Sequence, residues 1–275
     1  MVAASHFTRR DLAEGSLVTL LLWLVFISVP LQAGGIGLGW DTLNHHIYLG
    51  WTAEHPRFDR DYMATGLQAY QFPYLYWPVY KLAAWGASGV VAGVVLATLA
   101  AFCIPPAWLV ARVLLPERSL FTMAFRVGAT LLAFASSASM KVLEVTSNDL
   151  IATAPVLWAF ALAMWPSLDN GQGSTPGLRS LRWAIVPGLL AGLGVAGKLS
   201  NGPLVVVLPL LYLLQAGTWR TRLRQATVAA LAIGLGFFVA YAYWGWQLWL
   251  AFGNPVFPFF DTHFDALRNW TGWQP

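Results

Sequence analysis

From Leu17 to about Ile36 the chain runs for twenty residues without a charged side chain. Wound as a helix, such a stretch crosses the ~30 Å hydrocarbon core of a bilayer, and only helices and closed barrels satisfy their own backbone there. Several further segments have the same character. Of 275 residues, 57% are hydrophobic, 10% are charged and 15 are tryptophan. A soluble domain of this size has no interior large enough to hide so much apolar surface. The first run is too long to be only a cleaved signal peptide.

The reading is an all-α polytopic membrane protein forming a single transmembrane domain over 1–275. Seven spans are expected, at about 16–37, 83–104, 120–140, 149–165, 183–198, 202–216 and 226–250. Pro105-Pro106 predicts a kink after the second span, with 107–115 continuing as another helical piece. A long first loop over 38–82 carries Tyr70, Phe72, Tyr74, Tyr76, Trp77 and Tyr80. Rings of this kind settle at the water–lipid boundary, so one or two interfacial helices are expected there. The 166–182 segment reads as a flexible loop, and 251–275 as a proline-aromatic tail. Cys103 is the one cysteine, so no intrachain disulfide can form.

The basic residues set the orientation. With the N-terminus in the cytoplasm, Arg9, Arg10, Arg112, Arg118, Arg126, Arg179, Arg182, Arg220, Arg222 and Arg224 lie inside. Arg57, Arg60, Lys81, Lys141, Lys198 and Arg268 lie outside. The excess inside agrees with the positive-inside rule. The formal net charge of +4 is thus explained by topology and does not indicate nucleic-acid binding. Eight acids, Asp41, Glu54, Asp59, Asp61, Glu144, Asp149, Asp261 and Asp265, fall outside.

Ionisable groups at membrane depth are costly and mark functional sites. The densest group is Asp41-Thr42-Leu43-Asn44-His45-His46-Ile47-Tyr48, directly after the first span. At α-helical spacing Asp41, Asn44, His45 and Tyr48 share one face. Asp41 is either a general base or an N-cap that accepts a bond from the amide near Asn44. Ser147-Asn148-Asp149 opens the fourth span, and Asp149 is either a first-turn acid or a second carboxylate of the same cavity. Lys198 ends the fifth span, either snorkelling to headgroups or binding a phosphate, with Arg57 and Lys81 as further candidate anion ligands. No motif demands a cofactor. Asp149 is a candidate ligand for a divalent cation, and His45, His46 or His55 are candidate nitrogen ligands for zinc.

Asp41-Thr42-Leu43-Asn44-His45-His46, Ser147-Asn148-Asp149, Gly197-Lys198 and Gly253-Asn254-Pro255-Val256-Phe257-Pro258-Phe259 together resemble the GT-C class of polytopic glycosyltransferases. The resemblance spans nearly the whole chain in short pieces. It implies a GT-C-like helix bundle in a bacterial inner (plasma) membrane, with the site outside the cytoplasm. It implies inverting transfer of a sugar from a polyprenyl-phosphate donor to a glycan, lipid or protein acceptor. It maps the catalytic residues to Asp41 and Asp149 and donor binding to Lys198; the helical spacing sets Asn44, His45 and Tyr48 beside Asp41, around the substrate. Enzymes of this class continue past such a tail, so the chain is expected to be their N-terminal transmembrane part. A transporter or lipid flippase, or a non-catalytic assembly subunit, are the alternatives. The reading requires Asp41 at the mouth of a polar hollow shared with Asp149.

Overall fold

The computed structural model describes residues 7–58, 60, 66–165 and 178–274. Asp59, Asp61 and most of the expected 166–182 loop lie outside them. Among the described residues all regular structure is helical, as expected. The helices are α1 (Arg9–Gln32), α2 (Ile47–Thr52), α3 (Trp77–Ala84), α4 (Gly89–Ala100), α5 (Ile104–Leu114), α6 (Leu120–Phe134), α7 (Ser137–Leu143), α8 (Asp149–Met164), α9 (Leu178–Gly197), α10 (Gly202–Val205), α11 (Val207–Leu214), α12 (Trp219–Phe252) and α13 (Asp265–Thr271).

Three helical stretches are long and apolar enough to cross a membrane: α1, α4 with α5 as Gly89–Leu114, and α12. The α6–α7 pair, bent by 65°, makes a fourth if it is one span. Three further expected spans, over α8, Leu181–Gly197 and Leu199–Leu214, are apolar but shorter. The sixteen residues of α8 rise about 24 Å, less than the hydrocarbon core.

The local causes are clear in the sequence. Thr8 caps α1 in a reciprocal box with Asp11. The second span begins at Gly89, capped by Ser88, and not at 83. Residues 83–84 belong to α3, which ends at a turn where Gly86 adopts φ 70°. The expected proline kink takes the form of a tight turn at Ala101–Cys103, after which Pro105 and Pro106 occupy the first turn of α5. Ser136 restarts the chain as α7 after the bend. α9 begins at Leu178, inside the segment read as loop.

α9 and α12 pack closely along their lengths. A side chain at Gly192 would overlap the Ile233 carbonyl, and one at Gly236 the Leu189 carbonyl. Close backbone approach through small residues is how apolar helices associate in lipid, where hydrophobic burial offers no drive. One core joins α1, α4, α5 and α8, and a second joins α8, α9, α11 and α12. A third lies at one end, where Phe58, Tyr70, Phe72 and Tyr74 of the first loop cover Tyr241, Trp244 and Leu248 of α12. The first loop is thus seated on the bundle, and Trp244 Nε1 donates to the Tyr70 carbonyl across 3.2 Å. The tail joins this end through Val256 and Phe257.

The bundle therefore has two chemically different ends. At one, α1 begins, α5 and α8 finish and α9 begins. There Asp11 binds Arg112 at 2.6 Å, and Glu14 binds Arg126 through both oxygens at 2.6 and 2.7 Å. All four side chains are buried or nearly so. Arg118 reaches Asp11 at 3.6 Å. Arg112, Arg118 and Arg126, counted by sequence only as charges flanking spans, thus pair with carboxylates of α1. The opposite end carries Asp41, Asp149 and Lys198.

Candidate functional site

The site is built where α1 hands over to α2. The backbone from Thr42 to His46 takes a π-helical turn, closed by the Ile47 N–H on the Thr42 carbonyl five residues back. The extra residue turns both His45 and His46 inward, while Asp41 and Leu43 stay exposed. Single π turns within helices are frequent at functional sites.

Asp41 lies in helical backbone and its side chain makes no cap bond, so the capping role is set aside. Its carboxylate is 61% exposed, with Oδ1 3.8 Å from the Nδ1 of buried His45. Trp40 and Leu43 beside it are also exposed. His46 is anchored more firmly. Its Nδ1 is 2.6 Å from the Thr146 hydroxyl, which in turn sits 2.7 Å from the Thr42 hydroxyl. The His46 ring stacks on Tyr76 at 4.5 Å and meets His45 edge-on at 4.3 Å. Gly50 admits Tyr76 to this position, because a side chain there would strike the Tyr76 backbone.

Burial sets the charge state of this pair. Loss of solvent pushes His46 down to about 4, and the neighbouring His45 adds to the effect. Burial lowers His45 as well, partly opposed by Asp41. The Tyr76 hydroxyl is pushed up by burial and by the fields of Asp149 and Asp41. His46 and Tyr76 thus sit within the fields of both carboxylates.

Asp149 heads α8. It accepts from Ser147 and forms an ion pair with Lys198 from the end of α9. Asn148 occupies the N-cap position without a side-chain cap bond. Asn201 tightens this corner, donating to the Ala152 and Gly194 carbonyls at 3.2 and 3.0 Å. Beside Lys198 lies a hollow of about 180 Å³, lined by Asn148, Ser200 and Gln71 and walled by Tyr70, Phe72 and Tyr241. Neither carboxylate lines it. The expected hollow shared by Asp41 and Asp149 is therefore not formed: the hollow lies at Lys198, which pairs with Asp149, and Asp41 is exposed.

The other expected site residues are arranged differently. Asn44 donates to the Trp40 carbonyl at 2.7 Å and so serves its own turn. Tyr48 packs against Trp51, and the Arg57 guanidinium lies 4.9 Å over the same indole. Among the described residues no three His, Cys, Asp or Glu side chains converge on one point. Asp149 is matched by the Lys198 ammonium, and His46 Nδ1 by Thr146. Tyr76, Thr42 and Thr146 are members of the cluster that spacing alone did not single out. Thr146 stood in plain view as the start of the polar run Thr146-Ser147-Asn148-Asp149.

No family model, curated protein or solved structure matches this chain.

Proposed function

We propose that the protein is a membrane glycosyltransferase that moves a sugar from a polyprenyl-phosphate donor to an acceptor hydroxyl outside the cytoplasm. The hollow shared by both carboxylates that the sequence reading required is not found among the described residues, and the proposal rests instead on one observation. An exposed carboxylate and a carboxylate–lysine pair flank a single buried His46–Tyr76 stack at one end of an apolar bundle. Exposed Trp40 and Leu43 beside Asp41 suit an approach from the lipid boundary.

In this mechanism the acceptor oxygen attacks the anomeric carbon as the carbon–oxygen bond to the phosphate breaks. The acceptor proton passes to Asp41, and the bonding pair leaves with the polyprenyl phosphate. The anomeric centre inverts. The leaving group is already an anion and needs charge neutralisation more than a proton. Lys198 supplies that charge by exchanging part of its ion pair with Asp149 for the phosphate. His45 Nδ1 stands 3.8 Å from the Asp41 carboxylate without a hydrogen bond, while the Thr146 bond holds the neutral His46 beneath.

The test is transfer of labelled sugar from a purified polyprenyl-phosphate donor by the protein in detergent. Transfer is expected, and Lys198→Met should raise the donor KM by about ten- to a hundredfold, the worth of a charged hydrogen bond. Failure to transfer or release sugar, with uptake of the lipid or sugar by proteoliposomes instead, would replace the enzyme with a transporter.

A further inference from the structure

A second cavity among the described residues lies away from this site. It is a groove of about 740 Å³ at the opposite end of the bundle, between α1, α5, α8 and the start of α9. Its volume lies in the range of ligand sites, and its walls are almost wholly apolar. Five indoles, Trp23, Trp108, Trp158, Trp165 and Trp183, supply much of the surface. Three of them have no donor to offer a ligand. Trp23 Nε1 donates to Thr98 at 3.0 Å, Trp108 Nε1 to Glu14 at 3.0 Å, and Trp158 Nε1 to the Phe102 carbonyl at 3.1 Å. The Thr19 hydroxyl at the wall is spent on the Gly15 carbonyl. What remains is mostly hydrocarbon and ring face, with the Ser16 hydroxyl and the Trp165 and Trp183 indoles as the other polar groups of the wall.

The rim differs. The exposed guanidinium of Arg182 lies 5.0 Å over the Trp183 ring. No carboxylate among the described residues pairs with it, whereas nearby Arg112 and Arg126 are neutralised by Asp11 and Glu14. A cation stacked on an indole at the mouth of an apolar groove is complementary to a chain with an anionic head.

We propose that this groove binds an acyl chain of an anionic phospholipid, with its phosphate at Arg182. The occupant is distinct from the sugar donor. From Trp165 in the groove wall to Asp149 the chain rises about 24 Å along α8. A phosphate held at Lys198 therefore cannot also reach Arg182. The assignment stands whether or not the protein transfers sugar.

Native mass spectrometry of the protein with phosphatidylglycerol, or with phosphatidylcholine of the same chains, tests it. The protein should retain phosphatidylglycerol in preference. Arg182→Glu should weaken that retention at least about fivefold, and Arg182→Lys should restore most of it. Ser16→Trp, which fills the groove from an exposed position on α1, should weaken retention of both lipids. Equal retention of the two lipids, or a preference untouched by Arg182→Glu, overturns the phosphate assignment. Retention unchanged by Ser16→Trp overturns the chain assignment. A dimer that excludes both lipids shows that a second copy of the chain covers the groove, and also overturns it.

Discussion

At the scale of single residues, His46 carries the sharpest consequence. The unfolded chain takes a proton on this imidazole near pH 6.5, the folded chain only near 4. Between those values the unfolded state binds more protons, so stability rises with pH across the window and is lost on acidification. Thermal unfolding in detergent should therefore show Tm falling from pH 7 to pH 4.5. His46→Gln should flatten that fall, and an unaltered slope would mean that His46 is not the group responsible. The role of His46 was hidden in the sequence by a change of helical period. Spacing at 3.6 residues per turn groups Asp41 with His45 and Tyr48. The π turn at Thr42–His46 instead sets His46 beneath the site and leaves Tyr48 against Trp51. The partnership of Asp149 with Lys198 was equally out of reach, since 49 residues separate them. What the residues did announce was the density of ionisable groups around Asp41.

Among the elements, the junction of α1, α5 and α6 shows how charge and topology are joined. Asp11 and Glu14, three residues apart on α1, each hold an arginine from a different helix. Removing one partner of a buried pair leaves an uncompensated charge at a cost of about 3–5 kcal/mol. Asp11→Asn should therefore destabilise the protein by about that amount, read as a lower unfolding midpoint in a mild denaturing detergent. The double change Asp11→Leu with Arg112→Met should recover most of the loss. A single variant as stable as the parent would show that Arg112 finds water instead. Charge counting along the chain used these arginines as topology markers and missed their partners, because pairing depends on which helices adjoin. Element type was far more legible than element length. Apolar runs located the longer helices, whereas α7, read as part of one span, and α13, read as tail, went unseen. Whether a run becomes one straight span, as in α12, or a bent pair, as in α6 and α7, is decided by the packing around its breaks.

For the whole molecule, the account requires two ends on opposite sides of a bilayer. The native Cys103 is fully buried, so introduced thiols report cleanly. In sealed vesicles Glu54→Cys should react with an impermeant maleimide from one side, and Trp219→Cys, at the exposed start of α12, only from the other. Labelling of both from the same side would overturn the two-ended bundle. At the end bearing Asp41, the central claim concerns its carboxylate, which no cap bond engages. The direct measurement is the rate of labelled-sugar transfer from a polyprenyl-phosphate donor by Asp41→Asn protein in proteoliposomes, with folding verified by its unfolding midpoint. Loss of a positioned base typically costs about 10²–10⁴ in rate, and the account predicts a fall of that size. Transfer at the parent rate by the folded variant would contradict it.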